Sequence, residues 1–231
     1  MKSASSTETK TVTDFIDNMD DHLIRFNKDK TLVFIDCETE NLCLHHSHNL
    51  PWQIAMIKSV NGKKVDEKNF IVKYDRELHV GEMAARITRF SPTSHAKNAV
   101  PFEQIFPTVQ DWLDNADYVL GHNILGFDMY LIKSMYESQG LSYQHLMEKT
   151  LDTMCLVRGI KMNLEHKPES ETVLEYQYKL LHTRKKGLKT NLQAVSKEYG
   201  IEHNYEMLHD AIVDLELNLK LWNKMIYQLS I

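Results

Sequence analysis

The run TLVFIDCETE at residues 31–40 most constrains what this 231-residue chain can fold into. Its first half is β-branched, aromatic and apolar and follows the polar NKDK, so it reads as a buried strand. Alternate side chains of a strand point to opposite faces. Asp36 and Glu38 therefore share one face near the strand's end, and Cys37 points to the other. Cys43, His45, His46 and His48 follow closely and raise zinc as an alternative. A zinc site using Cys37 would have to form behind the sheet, in packed core. The spacing Cys-x5-Cys-x-His-His-x-His also lacks the close cysteine pair usual in structural zinc sites. Core cysteines and loop histidines are the favoured account.

Further along, WQIAMIKSV and NFIVKYD read as two strands joined across NGKK, where Asn61-Gly62 signals a tight hairpin. Helical patterns follow near GEMAARI and over FEQIFPTVQDWLDNA. DYVLGHN reads as a fourth strand running into a helix at GFDMYLIKSMYESQ. LDTMCLVR fits a strand or a helix. Two helices, NLQAVSKEYG and DAIVDLELNLKLWNKMIYQL, close the chain. This order predicts an α/β fold, a mixed sheet of about five strands flanked by helices. Residues 1–30 are expected to be an extension with a disordered start and a short helix over TVTDFIDNMDDHLIRF. Residues 31–231 form one domain, interrupted at about 160–189 by a basic insertion, expected as a mobile loop or a hairpin containing VLEYQYKLL.

Apolar residues at 42% and charged residues at 26% suit a soluble globular protein. No run reaches the length of a membrane span, MKSASSTETK has no apolar leader core, and three cysteines give no disulfide framework. The cytoplasm is the expected compartment. A net charge of −5 argues against a protein that coats nucleic acid, yet it is compatible with a nuclease whose own acids bind metal. A local basic lining would suffice, and KLLHTRKKGLK supplies one through Arg184, Lys185 and Lys186. That run is either a phosphate-contacting lining or a solvated charged face. Tyr176 and Tyr178 within the insertion could stack on bases or face a core.

Three acidic segments are far apart in sequence but could converge: Asp36 with Glu38, Asp128 in GHNILGFDMYL, and Asp214 with His209 in HDAIVDL. Four carboxylates together would hold two hard divalent cations able to stabilise both oxygens of an in-line phosphoryl displacement. In order and context these segments resemble the motifs of the DEDDh 3′–5′ exonucleases. That group has a ribonuclease H-like fold and includes the proofreading subunit of bacterial DNA polymerase III, ribonuclease T and oligoribonuclease. FIDCETENL resembles the first motif, GHNILGFDMYLI the second and HDAIVDL the third, over roughly residues 31–225.

The resemblance implies that Asp36, Glu38, Asp128 and Asp214 are ligands of two Mg2+ or Mn2+ ions and that His209 is the general base. It implies that Thr39 and Leu42 position the terminal nucleotide, with His122 and Asn123 in support. The sister group carries Tyr-x3-Asp in its third motif, whereas here the residue at that spacing is Asp210. On a regular helix His209 and Asp214 would be about 140° apart, so His209 is expected on the loop before the helix with Asp210 as N-cap. Two departures stand out. HNILGFD has one residue more than the proofreading-subunit pattern and is closer to the domains attached to replicative polymerases. Gln53 in WQIAM replaces an acid that often contacts the terminal sugar, which leaves DNA against RNA open. The expected activity is metal-dependent removal of nucleoside monophosphates from single-stranded DNA or RNA 3′ ends, DNA favoured. Partners would include a polymerase or other replication and repair proteins, with no membrane. The alternatives are a ribonuclease that trims short RNAs and a non-enzymatic nucleic-acid-binding subunit.

Overall fold

The computed structural model describes residues 23–26, 29–42, 44 and 49–231. The expected N-terminal helix lies almost wholly outside the described residues, as do Cys43, His45, His46 and His48. Its last residues form a short 3-10 turn, Ile24–Phe26, whose Ile24 enters the core and whose N–H donates to the Ile231 carbonyl at 2.8 Å.

The chain then runs through β1 (Thr31–Thr39), β2 (Pro51–Val60), β3 (Lys63–Lys73), α1 (Glu82–Thr88), α2 (Pro92–Asn98), β4 (Val100–Pro101) and α3 (Phe102–Asn115). It continues through β5 (Tyr118–Gly121), α4 (Asp128–Ser138), α5 (Gln144–Met147), β6 (Thr150–Asp152), α6 (Thr153–Met162), α7 (Val173–His182), α8 (Leu192–Glu198) and α9 (Ala211–Met225). The sheet order is β4-β3-β2-β1-β5-β6, with β1, β2 and β3 antiparallel and β5 and β6 parallel to β1. The hairpin is the expected one: Asn61 and Gly62 take φ of 52° and 70°, the left-handed pair that a two-residue type I′ turn requires. Six strands replace the expected five or so because β4, two residues long, is too short to leave a periodic signal. LDTMCLVR is both things in turn, β6 and then α6, with Asp152 as the N-cap between them.

Strand parity divides the core. Leu32 and Phe34 of β1 face α6, α7 and α9, whereas Val33, Ile35 and Cys37 face α3 and α4. A one-residue slip of β1 would exchange these sets and drive Asp36 and Glu38 into the apolar layer beneath α3 and α4, where an unpaired carboxylate is very costly. Register is thereby locked. The same parity puts Cys37 where the zinc argument requires it, in packed core.

The 160–189 segment is a correction. It holds α7 rather than a hairpin or an open loop. A capping box opens the helix, with Thr172 Oγ1 accepting the Glu175 N–H and Glu175 accepting the Thr172 N–H. Buried Gln177 accepts the Asp152 N–H at 2.6 Å and donates to the Thr150 carbonyl at 2.9 Å, so the helix is stitched to the β6 edge. Tyr176 faces the core and donates to the Leu164 carbonyl at 2.6 Å, which removes it as a base-stacking surface. Tyr and Gln on the buried side hide this helix from an apolar-periodicity reading. At the other margin, among the described residues, β4 covers β3 only at Val72 and Lys73, and Lys63, Lys64, Asp66 and Glu67 stand exposed along the rest. No helix among the described residues is long and apolar enough to cross a membrane.

Candidate active site

β1 delivers Asp36 and Glu38 to the α9 side of the sheet, at the end where parallel β5 also finishes. Asp214 comes from the first turn of α9. Carboxylate oxygens of Asp36, Glu38 and Asp214 lie within 4.8 Å of one another. Asp128 opens α4 from the opposite layer. It is buried, and its Oδ1 accepts the Cys37 N–H at 3.1 Å, so it sits beside the strand at the residue that separates Asp36 from Glu38. Four acids from three elements thus crowd one strand end, as the motifs imply.

Their electrostatics follow from that crowding. Burial, then repulsion from Asp128 and Glu38, holds the Asp36 carboxyl well above the usual range. Burial with repulsion from Asp214 and Asp128 pushes Glu38 up to about 8. Asp128 is pushed up to about 7 by burial, against the Cys37 N–H that favours its charged form. Asp214 is pushed to about 6 by burial, with the His209 N–H and the charges of His209 and Arg89 pulling it back. All the donors are carboxylate oxygens, with no thiolate or imidazole among the three converging groups. An all-carboxylate set of this kind fits a divalent cation that takes oxygen ligands.

His209 sits on the loop before α9 as expected, exposed and with φ of 68°. Asp210 caps α9 by accepting the Ile212 N–H at 3.2 Å. Thr39 is buried, and its hydroxyl donates to the Asn41 carbonyl at 2.6 Å. Asn49 clasps Asn41 through both ends of its amide, and this turn leaves Leu42 85% exposed, available for an apolar contact.

His122 and Asn123 stand at the turn between β5 and α4. His122 spends both ring nitrogens inside the protein: Nε2 donates to the Thr190 carbonyl at 2.8 Å and Nδ1 faces the Thr153 hydroxyl at 3.0 Å. Burial pushes it down to about 4, so it is neutral near pH 7. A direct substrate contact by His122 would have to break one of these bonds. Asn123 adopts φ of 71°, and a Cβ on Gly126 would collide with its carboxamide, which is why the chain turns tightly enough to start α4 at Asp128. Gln53 lies opposite Glu38 in the β1–β2 ladder, with its amide committed to Asn69 Oδ1 at 3.0 Å. Arg184, Lys185 and Lys186 are exposed. Their loop is tied at both ends, Arg158 donating to the Leu180 and Leu181 carbonyls and Thr190 accepting from His122 just past β5. It therefore starts and finishes beside the sheet end that carries the acids.

Two buried acids escaped the sequence reading. Glu40 accepts from both Arg76 guanidinium nitrogens (2.9 and 2.5 Å) and from the His79 and Leu50 N–H groups, fixing the chain just after the first motif. Asp152 accepts four backbone N–H groups, from Asn123, Leu125, Met154 and Cys155, and so braces the turn before Asp128 against α6. An Asp before LDTMCL's helical half was readable as a cap; the Arg76 partner of Glu40, 36 residues away, was not.

A mixed sheet between helical layers, with acids gathered at the end of its central strands, defines the ribonuclease H-like nuclease class. Residues 33–222 match the RNase_T exonuclease family, and the chain belongs to that family, within the DEDD superfamily. No curated protein sequence matches the chain. Solved structures match in fold. The zinc-bound Escherichia coli exonuclease I–single-stranded DNA complex is 18% identical with a TM-score of 0.66, covering 86% of this chain and 41% of that one. E. coli exonuclease I with a dA16 oligonucleotide is 19% identical (TM-score 0.64; 85% and 40%), and a product-bound exonuclease I is 18% identical (0.64; 85% and 43%). The chain spans about two-fifths of the length of these proteins.

Proposed function

We propose that this protein is a metal-dependent 3′–5′ exonuclease. It hydrolyses the terminal phosphodiester of single-stranded nucleic acid, DNA favoured, and releases nucleoside 5′-monophosphates. The observation that carries the reading is the convergence of Asp36, Glu38 and Asp214 oxygens within 4.8 Å, with buried Asp128 bonded to the backbone of Cys37 between the first two. An acid cluster so desolvated is built to be neutralised. Asp36, Glu38, Asp128 and Asp214 would hold two Mg2+ or Mn2+ ions, which activate water and stabilise developing charge on the phosphate when bound.

The chain's own residues supply the rest. His209 takes the proton of the attacking water as the water oxygen bonds to phosphorus and the bond to the leaving 3′ oxygen breaks. Its exposed loop position leaves it free to face a substrate bound over the acids. Thr39 shapes the turn that presents Leu42 to the terminal base. The loop bearing Arg184, Lys185 and Lys186 contacts phosphates upstream of the scissile bond. A polymerase or a replication and repair complex is the setting the family resemblance suggests.

The test is a degradation assay on 5′-labelled single-stranded DNA, RNA and duplex with a mispaired 3′ end, with and without EDTA. Stepwise shortening from the 3′ end, lost with EDTA, is expected, fastest on single-stranded DNA. Preferential shortening of short RNAs would favour the ribonuclease alternative. Binding without cleavage in Mg2+ and Mn2+ would leave only the non-enzymatic one.

A further inference from the structure

Five non-glycine residues among those described have positive φ: Asn61, Arg89, Asn123, Asn163 and His209. Asparagine and histidine are the types that most often tolerate this region, whereas an arginine gains nothing from it. Arg89 is the outlier, with φ of 59° directly after α1. A strained residue persists only where its surroundings hold it, and such residues cluster at functional sites. Here the holding contacts are visible. Arg89 Nη1 donates to Met207 Sδ at 3.3 Å, and Nη2 donates to the Glu206 carbonyl. Both acceptors belong to the 3-10 turn Tyr205–Met207, which ends two residues before His209.

No sequence motif points to Arg89, and α1, which it caps, buries none of its own residues. A helix without a core face holds its place through its ends. The guanidinium spans the space between that end and the loop of the third motif, a connection 118 residues long in sequence.

We propose that Arg89 is a positioning residue that latches the turn at 205–208 and so holds His209 over the carboxylates. The latch rests on the reading of His209 as the base. Arg89 needs no contact with substrate for this. Its planar fork grips a carbonyl and a thioether at once, and a lysine could replace only one of those bonds.

The test uses the full chain and Arg89→Gly, because glycine adopts this backbone freely. Arg89→Gly should melt no lower than wild type, yet its kcat on single-stranded DNA should fall roughly tenfold with KM little changed. Arg89→Lys should recover part of the loss. In a His209→Asn background Arg89→Gly should cost nothing further. Amide hydrogen exchange at residues 205–210 should quicken in Arg89→Gly without substrate or metal. Unchanged exchange there overturns the latch. So does a full additional loss in the His209→Asn background, or a raised KM at unchanged kcat, which would make Arg89 a substrate contact. Wild-type turnover in His209→Asn would instead defeat the assignment of the base, and the exchange measurement would still decide the latch.

Discussion

The backbone N–H of His209 donates to both oxygens of the Asp214 carboxylate, at 3.4 and 3.3 Å, across the start of α9. The main chain, not the imidazole, makes this link, so the side chain can be changed without losing it. Asparagine tolerates the φ of 68°. His209→Asn should therefore fold normally and still bind Mg2+ or Mn2+, while kcat drops ~10²–10⁴-fold. Isothermal titration of the metal beside single-turnover cleavage separates the two effects, and equal losses in both would remove His209 from proton transfer.

Stability of the metal-free protein should fall as pH rises. Glu38, Asp128 and Asp214 titrate at about 8, 7 and 6 in the fold, against about 4 in an unfolded chain. The folded state thus binds more protons than the unfolded state across this interval, and the linkage slope is negative. The loss begins near pH 4 and runs through about pH 8, where Glu38 titrates, with Asp36 held well above the usual range adding to it in the same direction. Melting temperature in EDTA should fall steadily as pH rises from 5 to 8. Mg2+ or Mn2+ should restore most of this at pH 8 and little at pH 5, and Asp36→Asn should flatten the EDTA profile. A flat profile in the wild type would contradict the crowded-acid account.

Neutralising Arg184, Lys185 and Lys186 together should act on binding and leave the chemical step alone. For every phosphate that these side chains no longer neutralise, the slope of log affinity against log salt should shrink by about 0.7 for a single strand. Anisotropy with a fluorescent oligonucleotide in Ca2+ or EDTA reads this directly. An unchanged salt slope would return the run to an ordinary solvated face.

Gly159→Ala tests the packing of α7. A Cβ there would collide with the Tyr176 hydroxyl and press on Leu180 at 3.1 Å. Overpacking of this kind destabilises by typically ~1–3 kcal/mol. Denaturant melts should show that loss, while the folded fraction keeps its turnover, since α7 carries none of the proposed catalytic groups. Wild-type stability would mean that α7 does not sit tightly on α6.

What could be read from the sequence was local. The two-residue period of a strand put Asp36 and Glu38 on one face and Cys37 on the other, and β1 has that parity. Helical pitch separated His209 from Asp214 and made Asp210 the cap, as it is. The family and the ribonuclease H-like sheet were legible from the three acidic segments. What stayed hidden depends on partners chosen in three dimensions. Glu40 is defined by Arg76, His122 by Thr190, and Arg89 by a turn 118 residues away. The helix at Val173–His182 was missed because its buried side is built from Tyr176 and Gln177, polar residues whose bonds to β6 and to Leu164 make them core.

The bare margin of β3 has a bearing on life at high concentration. An unpaired strand edge offers N–H and C=O groups to any passing chain and is a template for fibril growth. Among the described residues β4 caps only Val72 and Lys73, and exposed Lys63, Lys64, Asp66 and Glu67 flank exposed Val65 along the remaining rungs. A second copy docking there would have to strip water from several ionic groups at once, a cost that hydrogen bonding between strands does not readily offset. Charge along these rungs therefore raises the cost of edge-to-edge pairing with a second copy.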